Sequence, residues 1–144
     1  MFVVDTNILV YAADSDSDLH GSCRELLEDW RRQTAAWYVT WGIVYEFLRV
    51  TTHARVFRAP WSAGDAWGFV QAVLASPSLG LLVPTERHAE VASEVIAAVP
   101  HLGGNIFHDA QTAILMREHG VGRIYTRDTD FHRFPFLQAI DPVA

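Results

Sequence analysis

The sequence predicts an α/β fold: a single domain over residues 1–144, with a parallel sheet of about five strands flanked by helices. Three observations point there. Short apolar runs of β-favouring residues recur along the chain at residues 2–4, 36–40, 80–84, 123–126 and 137–140. Longer stretches with helical periodicity separate most of these runs. At 144 residues and 50% hydrophobic composition the chain is the size of one domain and can bury a core. No internal repeat, linker or low-complexity tract interrupts it.

The first strand, Phe2-Val3-Val4, ends at Asp5, so its carboxyl end carries a carboxylate. After the turn-like Asp14-Ser15-Asp16-Ser17-Asp18, residues 20–32 read as a helix. Residues 36–40 form the second strand, followed by a helix over about 42–53. The next helix spans 60–75 and stops at Ser76-Pro77. The third strand covers 80–84, and a helix over 85–99 ends at Pro100. Residues 105–119 form a further helix, with Asn105 as its N-cap and Gly120 just past its end. The fourth strand, 123–126, ends just before Asp128, and 137–140 is the fifth. Ligands of open parallel sheets bind beyond the carboxyl ends of the strands, so residues just after each strand are the first candidates for chemistry.

Composition removes several classes. A net charge of −6 and a pI near 5.5 argue against gripping nucleic acid by wholesale phosphate neutralisation; such a partner needs a local basic patch. All 11 basic residues are arginine. Arg49, Arg55 and Arg58, or Arg123, Arg127 and Arg133, either bind phosphates bidentately or belong to ordinary solvated faces. The single cysteine, Cys23, makes no internal disulfide, no signal-peptide pattern opens the chain, and no apolar run approaches the roughly 20 residues that span a bilayer. A cytoplasmic protein without membrane contact is expected. The histidines lack H-x-x-x-H and H-E-x-x-H spacing, which leaves zinc unsupported; His108, beside Asp109, is the suggestive one. The acids of residues 14–18 with Glu25 mimic a calcium loop, but Leu19 stands where that loop needs glycine, so an exposed turn is expected.

Asp5 and Asp128 each follow a strand and so project from the same edge of a parallel sheet. Glu46 falls roughly 40° outside an apolar helix face made by Ile43, Val44, Phe47, Leu48 and Val50, at about 100° per residue. Asp109 stands roughly 40° outside the face made by Ile106, Phe107, Ala110, Ala113 and Ile114. Two helices thus each offer one carboxylate at a core boundary. Carboxylates that converge without lysine or arginine partners repel one another unless a cation compensates, and oxygen donors with few imidazoles or thiols suit Mg²⁺ or Mn²⁺. Such ions polarise phosphoryl oxygens and activate water for attack on a phosphodiester. Composition and spacing lead this far, to an acidic metal site with phosphoryl chemistry.

Each acid also has an ordinary reading. Asp5 is a favoured N-cap for a short helix from Asn7, Glu46 a typical exposed helix glutamate, Asp109 a first-turn complement to the helix dipole, and Asp128 and Asp130 turn residues.

The segment Val3-Val4-Asp5-Thr6-Asn7-Ile8-Leu9 resembles the N-terminal motif of PIN domains, and Glu46 sits where that family has its helix glutamate. Asn105-Ile106-Phe107-His108-Asp109-Ala110 resembles its third acidic motif, and Tyr125-Thr126-Arg127-Asp128-Thr129-Asp130-Phe131 its closing "T-x-D-x-D-F". The four occur in the family's order across nearly the whole chain. The resemblance implies an endoribonuclease using Mg²⁺ or Mn²⁺, similar to the VapC toxins of toxin-antitoxin pairs, which are restrained by a VapB-like antitoxin and usually homodimeric. It implies Asp5, Glu46, Asp109 and Asp128 as the catalytic, metal-holding acids, with Asp130 secondary. Thr6 and Asn7 would support Asp5, Thr126 would set its hydroxyl near the metal, and the products would carry 5′-phosphate and 3′-hydroxyl ends.

Three rivals are weighed against this. A haloacid-dehalogenase-like phosphatase also begins with a strand ending in aspartate, but it needs a second aspartate where this chain has Asn7, and usually a later lysine. An HD-type phosphohydrolase would use His108-Asp109 in an all-helical fold, against the strand runs. A non-catalytic PIN relative acting as a scaffold or RNA-binding module would have lost acids that are all present here. Trp37, Trp41, Trp61 and Trp67, around the early helices, are read as core, with an antitoxin groove or a dimer seam as the alternative.

Overall fold

Val3 and Val4 form the shortest strand and the central one. The computed structural model describes residues 1–144, and in it β1 (Val3–Val4) lies between β2 (Trp37–Thr40) and β4 (Arg123–Tyr125). The sheet has five strands in the order β3-β2-β1-β4-β5, with β3 at Leu79–Leu82 and β5 at Gln138–Ile140, and every pairing is parallel. Both valines are fully buried, which is why the strand reads as an unbroken apolar run and not as an alternation. Parallel pairing sends all five carboxyl ends to one edge.

Six α-helices cover the sheet: α1 (Thr6–Ala13), α2 (His20–Arg32), α3 (Trp41–Thr51), α4 (Ala63–Leu74), α5 (His88–Ala98) and α6 (Ile106–His119). A 3₁₀ turn over Thr129–Arg133 follows β4. Several boundaries lie inside the expected ones, and capping explains them. α4 begins at Ala63 and not at residue 60, because the Ser62 hydroxyl accepts the Asp65 N–H at 3.1 Å. α5 begins at His88, because the Thr85 hydroxyl accepts the Arg87 N–H at 3.1 Å and closes a turn ahead of it. Asn105 does not cap α6 as expected: its backbone is already helical and its side chain makes no capping bond. Gly120 does end α6, at φ 70°, a left-handed conformation that glycine adopts without a Cβ penalty.

Phe2, Trp30, Trp37 and Tyr125 form one aromatic cluster, with centroids 4.8 Å apart for Phe2 and Tyr125 and 5.3 Å for Trp30 and Tyr125. A second joins Phe47, Trp61 and Phe69. Trp37 is therefore core, as expected, and Trp61 half-buried, whereas Trp41 and Trp67 remain 40% and 39% exposed. Phe107, expected on the apolar face of α6, is 44% exposed. α6 buries Thr112, Leu115 and Met116 as well as Ala110, Ala113 and Ile114, because α3, α5, β3 and the 3₁₀ turn pack around it. No helix is long and apolar enough to cross a membrane.

Candidate metal centre at the carboxyl edge of the sheet

Asp5 leaves β1 with extended backbone and caps α1: its Oδ1 accepts the Thr6 N–H at 2.7 Å. Its Oδ2 accepts the Thr126 hydroxyl at 2.7 Å and the Asn7 side-chain amide at 3.1 Å. The capping reading and the edge reading of Asp5 are thus compatible, since one oxygen serves the helix and the other faces the end of β4. Thr126 is buried, and its hydroxyl also accepts from the Asn7 amide at 3.1 Å and from the Asp128 N–H at 2.9 Å, which uses its one donor and both acceptor positions. The Asn7 carbonyl oxygen accepts the Arg127 N–H at 3.2 Å. Asn7 and Thr126 together lock the end of β1 to the end of β4. Thr6 offers its backbone N–H to Asp5, while its hydroxyl bonds the Ile43 carbonyl at 3.4 Å.

Asp128 caps the 3₁₀ turn by accepting the Asp130 N–H at 2.9 Å, and that turn packs against α6. Carboxylate oxygens of Asp109, Asp128 and Asp130 all lie within 4.8 Å of one another. Burial pushes the Asp109 carboxyl up, and the charges of Asp128, Asp5 and Asp130 push it further, to about 7. Burial likewise raises Asp5, against the bonds from Thr126 and Thr6, with the charges of Asp128 and Glu46 adding to the rise.

Glu46 lies on the α3 side of the same cavity, but it is not free of a cation. Arg49 grips it bidentately, Nε to Oε2 at 3.1 Å and Nη2 to Oε1 at 2.7 Å, and that bond holds the Glu46 carboxyl below the usual range. Arg133 lies 3.7 Å from Asp130. The expectation that the acids converge without basic partners holds for Asp5, Asp109 and Asp128 and fails for Glu46 and Asp130. In both exceptions the arginine stands three residues on, the spacing that brings side chains together along a helix.

The five acids line a cavity of about 570 Å³. Val10, Tyr11, Val50, Val56 and Phe57 give it apolar lining; Asn105 just before α6, and His108 and Gln111 within it, add polar wall. Tyr11, Asp14 and Gln111 were not singled out in the sequence as site residues. The recurrence of Asn7, Val10, Tyr11 and Asp14 at helical spacing was the available signal, and the eight-residue length of α1 hid it. At Gly42 a Cβ would stand 3.3 Å from the Gln111 Oε1, so the absence of a side chain lets α3 approach α6 beside the acids. Three adjacent aspartates, one of them raised to about 7 by burial and by its neighbours' charges, form an all-oxygen donor set, and a hard divalent cation fits that set.

A parallel sheet with such acids at its carboxyl edge is the architecture of PIN domains, and the PIN-domain family model matches residues 2–137. Ribonuclease VapC43 of Mycobacterium tuberculosis is 35% identical over 147 residues, covering 99% of this chain and 96% of that protein. Ribonuclease VapC33 of the same organism is 30% identical over 145 residues, covering 99% of each. Among solved structures, VapC20 of M. tuberculosis, described as a sarcin-ricin loop cleaving toxin, superposes with a TM-score of 0.64 at 21% identity, covering 92% of this chain and 93% of that one. VapBC2 from Rickettsia felis, bound to a DNA fragment from their promoter, gives 0.66 at 16% identity and 96% of each chain. The chain belongs to the PIN-domain family, in the company of its VapC ribonucleases. That membership, with a sheet at the centre of the molecule, disposes of the phosphatase and HD-type alternatives.

Proposed function

We propose that this chain is a metal-dependent endoribonuclease, the toxin of a VapBC-type pair, which hydrolyses RNA phosphodiesters at the acid cluster. The observation that carries the reading is the mutual approach of Asp109, Asp128 and Asp130 beside a buried Asp5. Full-length similarity to VapC ribonucleases supports the RNA substrate; a VapB-like antitoxin partner, homodimer formation and a cytoplasmic setting go with that reading. Asp5, Asp109, Asp128 and Glu46 would hold Mg²⁺ or Mn²⁺, with Asp130 as a secondary ligand. When bound, the cation supplies charge stabilisation at the phosphoryl oxygens and a more acidic water.

The chain's own residues do the rest. Asp109, held at about 7 by burial and by the charges of Asp128, Asp5 and Asp130, can release its proton near neutral pH and would then serve as an ionised ligand. Thr126, Asn7 and the Thr6 N–H keep the Asp5 oxygens fixed. Arg49 keeps Glu46 ionised at the cavity wall. A water oxygen bonds to phosphorus as the bond to the 3′ oxygen breaks and that oxygen takes a proton, leaving 5′-phosphate and 3′-hydroxyl ends. The presence of every family acid weighs against a non-catalytic scaffold.

The test is incubation with total cellular RNA, with and without Mn²⁺, followed by mapping of the cut ends. Discrete cuts that need the ion and vanish in Asp5→Asn are expected. Cutting that persists in excess chelator, or Mg²⁺-dependent cutting by Asp5→Asn, would refute the reading.

A further inference from the structure

Along α3, the cavity wall is made by Gly42, Glu46 and Val50, spaced four residues apart. The residue just before each one faces solvent: Trp41 is 40% exposed, Tyr45 65%, and the Arg49 side chain 60%. These three form a second stripe parallel to the wall, with a rise of about 6 Å between rungs. The Trp41 and Tyr45 rings stand 6.3 Å apart at 41°. Beyond the helix the pairing continues, since Val56 and Phe57 line the cavity while their neighbours Arg55 and Arg58 are exposed. Neither Arg55 nor Arg58 has an ion pair.

The other arginine group differs. Arg127 is tied to Asp141 at 3.1 Å, Arg133 stands by Asp130, and Arg123 begins β4, at the sheet edge opposite the acids. The two groups, equivalent as sequence, are therefore not equivalent in space. Only the first runs beside the cavity, and in it Arg55 and Arg58 are unpaired while Arg49 is held by Glu46.

We infer that Trp41, Tyr45, Arg49, Arg55 and Arg58 form the track on which single-stranded RNA lies as it crosses the acid cluster. The inference rests on the ribonuclease reading above and deepens it by naming the surface that selects the substrate. A chain of net charge −6 with six acids lining its cavity repels phosphates, so affinity has to come from contacts that do not depend on overall charge. Exposed aromatic rings that stack on bases, interleaved with guanidinium groups that meet phosphates or stack in turn, are that kind of contact. Stacking also makes the stripe specificity-determining, because it requires unpaired, splayed bases and rejects a duplex.

The experiment measures binding of a short labelled single-stranded oligoribonucleotide to the Asp5→Asn chain, chosen because its cutting is expected to be lost, across a salt series. Trp41→Ala and Tyr45→Ala in that background are expected to weaken binding about 10-fold each. Arg55→Gln with Arg58→Gln should flatten the slope of log affinity against log salt by about 1.4, at roughly 0.7 for each phosphate that is no longer neutralised. Arg123→Gln should change neither quantity. In the cutting-competent chain the aromatic variants should raise KM and spare kcat. Circular dichroism and sedimentation of each variant accompany the binding data. Unchanged affinity and salt slope overturn the inference. So does a change of oligomeric mass in the aromatic variants with RNA affinity intact, which would assign the stripe to a second copy of the chain. Ion-dependent cutting by the parent, run in parallel, separates the two claims: a parent that cuts while its stripe variants behave identically sinks only the track, and a parent that neither binds nor cuts sinks the ribonuclease reading too.

Discussion

Thr126 donates its hydroxyl to Asp5 across 121 positions of sequence, at 2.7 Å and out of solvent. That bond joins the two central strand ends and orients the most buried acid of the site. Thr126→Val keeps the shape and removes the bond. It leaves the Asn7 amide and the Asp128 N–H without their shared acceptor, at a cost of roughly 1–3 kcal/mol in urea unfolding. The Asp5 carboxyl rises further, so RNA cutting should drop at neutral pH and recover partly in alkaline buffer, with Thr126→Ser close to the parent. A pH-rate profile of Thr126→Val that overlays the parent's would contradict this.

Asp109 predicts how the ion-free protein responds to pH. Its carboxyl is at about 7 in the fold against 3.8 in the unfolded chain, so the folded state binds the extra proton between those values. Stability of the chelator-treated protein should therefore fall as pH rises from about 4 to about 7, and Asp5, shifted in the same direction, reinforces the fall. Saturating Mg²⁺ or Mn²⁺ should abolish the trend, and Asp109→Asn should flatten it. Thermal melts in chelator at several pH values decide the matter; melting temperatures that climb through this window would be the wrong sign.

Glu118 behaves oppositely and far from the acids. Its side chain is only 1% exposed, and it accepts the Thr85 N–H and the His88 Nδ1, the latter at 2.6 Å, which ties the start of α5 to the end of α6. Burial raises its carboxyl, but the bonds from Thr85 and His88 outweigh burial and bring it to about 2. With an unfolded value of 4.5, the stabilisation is present above that pH and disappears as pH falls toward 2. Glu118→Ala should lose about 2 kcal/mol near neutrality, a gap that narrows in acid, while RNA cutting per folded molecule stays the same. Equal acid sensitivity of parent and variant would argue against the tie.

Gly120 tests the backbone. At φ 70° an added Cβ meets no neighbouring atom, so the cost of Gly120→Ala is conformational alone, about 1 kcal/mol. A larger loss in chemical denaturation would mean that the end of α6 is held by something besides its capping turn.

Some of this was open to reading along the chain. The strand runs exposed the parallel sheet because a strand covered on both faces has no polar side to show. Asp5 and Asp128 were legible for a related reason: parallel pairing sends every strand end to one edge, whatever the order of the strands. Glu46 and Asp109 were legible as core-boundary acids from helical phase. α1 was legible only as the short helix that Asp5 would cap, since eight residues carry too little periodicity, and Phe107 was misjudged because phase does not say which neighbours a helix lacks.

What the linear sequence determined by itself is the set of local preferences: which segments extend, which coil, where Gly120 stops a helix, and which acids lie at strand ends. Tertiary structure alone decided which charges meet. It gathered Asp109 with Asp128 and Asp130, and set Arg55 and Arg58 beside the cavity while Arg127 went to Asp141. Coulomb energy depends on distance through space and on local burial, and neither quantity exists until the chain has folded.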